Sequence, residues 1–291
     1  MTDIRPRRSA LLVPAAATAL AAARSEPADA LILDLADSLP PADKEAGRAR
    51  LAPCLREGGF AAAEVVVRVN GLDTPWGEAD LAAVAEVGPD AVLVPRVEEP
   101  EDLAGIGSRL RRFGAPERTR IWACLDTPLG ILSAEAVASA VRDVDARLAC
   151  LVVDAGALAR EGRLPPGAPE AGPLLVWLAT ALAAARAHDL DILLDPADRL
   201  DIGRARGLGF DGAVVTAPAG ARRAEAAFAP DPEALAAARA LLSAFEAPES
   251  RGQAGVAHFG RTALRREADE ARRLVALAEA VAARAGAARG A

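Results

Sequence analysis

Eight short apolar runs, separated by helical stretches, are the feature that most constrains how this chain can fold. They fall at residues 10–14, 30–35, 65–69, 91–97, 121–125, 148–153, 191–194 and 212–216. They are mostly continuous in hydrophobicity rather than alternating, the pattern of strands buried on both faces of a parallel sheet. Amphipathic stretches lie between them at 44–57, 78–86, 99–113, 133–142 and 174–187. Asp43 and Ser133 stand where helix caps belong. Eight strands alternating with helices in about 220 residues predict an α/β fold, a (β/α)8 TIM barrel. A doubly wound open sheet is the alternative, but no G-x-G-x-x-G follows the first run, so a dinucleotide fold has no support. Residues 232–247 read as the closing outer helix, 248–260 as a Pro/Gly-rich linker, and 261–287 as a helix with Leu274, Leu277 and Val281 on one face. The expected organisation is a barrel over 1–248 and, over 249–291, a linker and C-terminal helical segment serving as lid or oligomer contact.

Composition removes several classes of function. The formal net charge of −7 and an aromatic content of 3% leave neither a basic surface nor stacking platforms, so no nucleic-acid partner is expected. No apolar run reaches the roughly 20 uninterrupted residues of a membrane span, and no membrane partner is expected either. There is a single lysine, Lys44, with two histidines (His188, His258) and three cysteines (Cys54, Cys124, Cys150). A Schiff base would have to use Lys44, and a His-rich or Cys-rich zinc site cannot be assembled. Arg5–Arg8 followed by residues 9–23 has the layout of a secretory leader, but the preferred reading is a first strand feeding an alanine-rich helix. Three widely spaced cysteines make no disulfide framework, and a cytoplasmic location is expected.

Barrel active sites form at the C-terminal ends of the strands. Those ends carry Pro14, Asp34 with Asp37, Arg68 with Asn70, Pro95-Arg96, Asp126-Thr127, Asp154, Asp195 with Asp198, and Thr216. Charges inside apolar surroundings are costly unless they pair, bind a cation or face a ligand. Asp126 and Asp154 end adjacent strands and together suit one Mg²⁺, with waters completing an octahedron. Arg68 is the fork for a substrate carboxylate. Asp34 and Asp37 are the accompanying catalytic candidates, and Asn70, Arg96, Thr127 and Pro128 the expected substrate contacts. Each has a plainer alternative: Asp34 and Asp154 as helix caps, Arg68 paired internally with Asp34 or Asp37, Arg96 covering the rim. Arg7 and Arg8 are also expected near the rim.

Six ordered segments carry a resemblance: Arg8-Ser-Ala-Leu-Leu-Val-Pro14, Ala30-Leu-Ile-Leu-Asp-Leu-Ala-Asp37, Val67-Arg-Val-Asn70, Leu93-Val-Pro-Arg-Val-Glu98, Leu125-Asp-Thr-Pro-Leu-Gly-Ile131 and Gly209-Phe-Asp-Gly212. They resemble the citrate lyase beta-subunit-like branch of the HpcH/HpaI aldolase family along nearly the whole chain. The resemblance implies a Mg²⁺-dependent barrel that makes or breaks a carbon–carbon bond in a 2-oxo acid or acyl-CoA thioester through an enolate. It also implies a trimer or hexamer of identical chains, and an arginine at Arg68 that binds the substrate carboxylate.

The chain departs from that family's pattern at the strand ends. The glutamate of an E-T-P run is Asp126, and the aspartate of a G-x-x-D-L-A run is Ala157. The second acid of D-L-E-D is Ala36, the lysine of P-K-V-E is Arg96, and Ala213 and Ala217 replace a lysine and a histidine. The glycine after Val13-Pro14 is Ala15. Two readings follow: a divergent carbon–carbon lyase with a metal site rebuilt on Asp126 and Asp154, or a catalytically degenerate paralogue kept as a binding or assembly protein.

Overall fold

The computed structural model describes residues 4–165, 172–196, 200–247, 250, 253–258 and 260–290, without the side chains of 286–290. Asp198 and Pro248 lie outside the described residues. In chain order the first half runs β1 (Ser9–Pro14), α1 (Ala17–Ala23), β2 (Ala30–Asp34), α2 (Lys44–Glu57), β3 (Glu64–Arg68), α3 (Gly77–Val87), β4 (Ala91–Val94), α4 (Pro100–Arg112) and β5 (Arg120–Leu125). Then come α5 (Pro128–Leu132), α6 (Ala134–Ser139), β6 (Leu148–Asp154), α7 (Ala155–Glu161), α8 (Pro173–Ala187), β7 (Asp191–Asp195), α9 (Ile202–Leu208), β8 (Gly212–Val215) and α10 (Pro218–Ala227). Finally come α11 (Pro232–Glu246), the strands β9 (Gly255–His258) and β10 (Arg261–Leu264), and α12 (Arg265–Gly290).

Strands β1 to β8 pair in sequence order and in parallel, and β8 closes on β1, which is the expected (β/α)8 barrel. The continuous apolar runs are buried on both faces: one face packs under the helices, the other fills the barrel. The inner layer combines Ala10, Ala30 and Ala91 with branched residues such as Ile32, Val66, Leu93 and Leu193, and Trp122 is its one large ring. Helices start on local chemistry. Glu99 and Asp102 form a reciprocal capping box at α4, and Thr127, Asp154 and Asp201 accept backbone N–H bonds at α5, α7 and α9. Asp43 and Ser133, expected as caps, make no such bond. A 3-10 turn over Pro41–Asp43 leads directly into α2, and α5 runs directly into α6. The segment resembling a leader is β1 and α1, with β1 hydrogen-bonded to β2 and β8.

The chain divides into two compact units, 7–228 and 229–291 with residues 1–6. The division therefore falls at 228/229, whereas the sequence placed it at 248/249. The reason is that α10 already completes the ring of helices, packing on β1 and β8. Helix α11 instead turns Ala238 and Leu241 onto Val256, Ala263 and Ala271 of the second unit. The expected linker contains strand β9, which pairs antiparallel with β10 in the first residues of the expected helix, so the last helix begins at Arg265 rather than 261.

Candidate functional site

A pocket of ≈ 210 Å³ opens at the C-terminal ends of β2 to β6, where Asp37, Arg68, Asn70, Arg96, Asp126 and Asp154 meet. A larger cavity of ≈ 500 Å³ beside it runs along α4 and shares Asp73, Pro95 and Arg96, but holds none of the strand-end carboxylates of β2, β5 or β6. The smaller pocket is where the chemistry-bearing groups converge.

Arg68 ends β3 directly opposite Asp34 of β2 in register. Its side chain is only 12% exposed, with Nη2 2.6 Å from Asp37 Oδ2 and Nη1 3.9 Å from Asp34 Oδ2. Burial disfavours its charge, but Asp34, Asp37 and Asp154 outweigh that and hold the guanidinium charged more firmly than usual. The two aspartates differ. Asp34 is 1% exposed and accepts the N–H groups of Ala36 and Ser38 at 2.8 and 3.0 Å, so it braces the loop after β2. Asp37 is 79% exposed and touches Arg68 from solvent. Arg68 is thus paired internally, and Asp34, whose alternative was a helix cap, instead accepts its bonds within the loop, ahead of any helix.

On the facing wall stand Asp126 and Asp154. Asp126 is buried and pushed up to about 6, chiefly by burial and further by Asp154, against the N–H of Arg96 and the charge of Arg68. Asp126 Oδ1 accepts that N–H at 2.9 Å. Arg96 holds a left-handed backbone (φ 55), strained for a residue with a side chain, which aims its N–H inward. Its guanidinium lies among Asp73, Glu98 and Glu161 at 3.5–3.7 Å. Asp154 Oδ1 accepts the N–H of Ala157 at 2.8 Å and so caps α7. Burial, with Asp126 and Asp154, pushes the Cys124 thiol well above its ordinary range.

Several expected contacts take other places. Thr127 and Pro128 do not line the pocket: the Thr127 hydroxyl accepts from Gly130 N at 3.0 Å and Pro128 starts α5. Asn70 lines the pocket, but its side-chain amide is engaged by Lys44, Asp80 and the Leu35 carbonyl. Arg7 and Arg8 are at the opposite, N-terminal end of the barrel, because they precede β1 rather than follow a strand. His188 is not solvated as a C-terminal helix residue would be: Nε2 lies 3.0 Å from Glu135 Oε1 and Nδ1 is buried without a partner. Asp73, Arg160 and Glu161 join the pocket from a loop and a short helix, positions no strand-end reading picks out.

Mg²⁺ prefers charged oxygen ligands and tolerates retained waters. Two carboxylates in one pocket, Asp126 and Asp154, offer that donor set. Among the described residues no group of three His, Cys, Asp or Glu side chains is placed to hold a metal. A cation here would therefore rest on Asp126 and Asp154 with water in the remaining positions.

A closed parallel barrel with a buried arginine and two carboxylates at its strand ends has the layout of the barrel class whose sites form at that end. Comparison with known proteins makes the class specific. The model of the HpcH/HpaI aldolase/citrate lyase family matches residues 8–218, and the chain belongs to that family. It is 34% identical to a (3S)-malyl-CoA thioesterase of Cereibacter sphaeroides over 291 residues, covering 96% of each chain. It is 30% identical to citrate lyase subunit beta of Escherichia coli, covering 94% of each. Among solved structures, RipC from Yersinia pestis matches with a TM-score of 0.62 at 27% identity, covering 78% of this chain and 96% of that one. Protein CitE from Mycobacterium tuberculosis, in complex with magnesium, acetoacetate and coenzyme A, shares the fold with a TM-score of 0.67 at 24% identity, covering 93% and 97%.

Proposed function

We propose that this chain is a Mg²⁺-assisted carbon–carbon lyase or aldolase acting through an enolate on a 2-oxo acid or acyl-CoA thioester. The observation that carries the reading is the placement of Arg68, buried in a pocket whose facing wall is Asp126 and Asp154. A substrate carboxylate replaces Asp37 on the Arg68 fork. The exchange costs little, because Asp37 is already solvated, while the buried fork gains a charge-assisted pair. Asp34 stays in place and keeps the loop carrying Asp37 in register. Asp126 and Asp154 would hold Mg²⁺, which supplies a Lewis acid for negative charge developing on a carbonyl oxygen. The strained Arg96 backbone fixes Asp126 for that task. Relatives named as a thioesterase and a lyase subunit, and a structural neighbour holding magnesium, acetoacetate and coenzyme A, support this substrate range.

The second reading, a non-catalytic binding paralogue, is favoured by one observation: Asp154 is occupied in capping α7 at the N–H of Ala157, the residue standing at the family's second ligand position. Calorimetric titration of Mg²⁺, then of oxaloacetate, decides between them. Binding of both is expected, with Mg²⁺ lost in Asp126→Asn and in Asp154→Asn, and oxaloacetate weakened about a hundredfold in Arg68→Met. A folded wild type that binds no Mg²⁺ hands the case to the second reading. In a thioester screen, thiol release alone reports hydrolysis, and a new 2-oxo acid or aldehyde reports carbon–carbon cleavage. The free thiols Cys54, Cys124 and Cys150 suit the cytoplasm, which we also propose. No helix among the described residues is long and apolar enough to cross a membrane. The family resemblance adds a homo-oligomer, trimer or hexamer, to be read by sedimentation.

A further inference from the structure

Lys44, the single lysine of the chain, is 5% exposed at the first turn of α2, behind the wall that carries Asp37 and Arg68. A buried lysine needs partners for three donors. Nζ donates to the Leu35 carbonyl at 3.1 Å, the Ala36 carbonyl at 2.8 Å and Asn70 Oδ1 at 2.8 Å, and the Trp76 ring covers it at 5.3 Å. The network continues through Asn70. Its Nδ2 donates to the Leu35 carbonyl at 2.9 Å and to Asp80 Oδ2 at 2.6 Å, and its backbone N–H reaches the same Asp80 oxygen. Arg48 closes the chain on Asp80 Oδ1 at 2.8 Å. Gly77 lets the start of α3 press on this segment: a Cβ there would stand 2.3 Å from the Gly71 carbonyl oxygen and 2.9 Å from that of Asn70.

Every bond of Lys44 thus ties the segment just before Asp37 to the segment just after Arg68. Among the described residues these bonds do not extend to β5 or β6, whose ends carry Asp126 and Asp154. We propose that Lys44 is a positioning residue for the carboxylate half of the site. It locks 35–37 to 68–70 so that Arg68 presents its fork toward the pocket and Asp37 meets it from outside. With three partners taken and no face on the pocket, Lys44 is not a Schiff-base nucleophile. The proposal rests on Arg68 as the carboxylate-binding residue.

The test is Lys44→Met, measured by titration with Mg²⁺ alone, titration with oxaloacetate in saturating Mg²⁺, and site-resolved amide exchange. Oxaloacetate affinity is expected to fall by about tenfold or more, with Mg²⁺ affinity within about twofold of wild type. The amides of Ala36, Asp37 and Ser38 should exchange at least about tenfold faster while those of β5 and β6 hold. Equal loss of both affinities would mark a general structural role and overturn the proposal, as would affinity and exchange indistinguishable from wild type. If the methionine variant does not fold, Asn70→Ser removes one of the three acceptors, leaves Lys44 both carbonyls, and is read by the same split. A wild type that binds no oxaloacetate defeats the role of Arg68 instead. The exchange contrast at 36–38 then decides Lys44 alone: a local acceleration supports it and no change overturns it.

Discussion

The two ends of the barrel use the same residue types to opposite effect. At the N-terminal end, Arg7 makes a two-pronged pair with Glu64 at 2.8 and 2.9 Å, reaches Asp191 at 3.0 Å, and lies 5.1 Å from the Trp122 ring that plugs the barrel. Burial opposes its charge, but Cys150, Glu64 and Asp191 outweigh it and hold Arg7 protonated beyond its usual range. Arg8 repeats the pattern on Asp29, at 2.8 and 3.0 Å. At the C-terminal end, Arg68 has one short contact, to an aspartate in solvent, and shares its pocket with Asp126 and Asp154. The lower end is a closed ion-pair lock, the upper end a charged surface with an exchangeable partner. A buried pair is costly to break, whereas an exposed contact is cheap to trade for a ligand.

The largest expected effect that would break this contrast is at the lock. Arg7→Ala removes the buried pairs with Glu64 and Asp191 and should cost about 3–5 kcal/mol of stability in urea melts, while leaving Mg²⁺ titration of the folded fraction unchanged. A loss no larger than that of an exposed arginine would remove the distinction between the ends.

Next comes the pH dependence of the open end. The carboxyl of Asp126 is raised from 3.8 to about 6 in the folded chain, so folding favours its protonated form. The stability this confers is complete below pH 3.8 and lost as pH rises through 6. In metal-free protein, Asp126→Asn should therefore gain on wild type by on the order of 2 kcal/mol between pH 4 and pH 7. Thermal melts across that range check it, and a difference that stays flat with pH would mean Asp126 is not held ionised at a cost.

The smallest effect sharpens the account of Asp154. Loss of its cap in Asp154→Ala should destabilise the protein by about 1 kcal/mol, and Asp154→Asn, which keeps the acceptor oxygen, by only a few tenths. Both should remove Mg²⁺ binding alike. Separation of the two readouts would show that capping and cation binding use different properties of one side chain.

Much of this architecture was legible without coordinates, because strands buried on two faces read as mostly continuous apolar runs, and the eight barrel strands fall on such runs. The site was legible in part for the same reason: a charge at the end of such a run has few uses other than a ligand or a partner, which singled out Arg68, Asp126 and Asp154. Thr127 and Pro128 follow the same rule and fail it. A hydroxyl and a proline at a strand end also make a good helix start, and here the helix took them. Arg7 and Arg8 precede the first apolar run, so chain order alone puts them at the N-terminal end, and the expectation of the rim overlooked it. Lys44 was singled out only by being alone of its kind. Its three acceptors are separated from it by 8 to 26 positions in the chain, and no local pattern announces them.

The sequence by itself determined the barrel, its strand order and the residue types gathered at its strand ends, since burial and period act over a few neighbouring positions. Only the tertiary structure decided which of those charges are locked, which are open, and that α11 belongs with the C-terminal unit. Those outcomes depend on which distant groups reach a buried donor or acceptor first, and a hydrogen bond is won by geometry across the fold rather than by order along the chain.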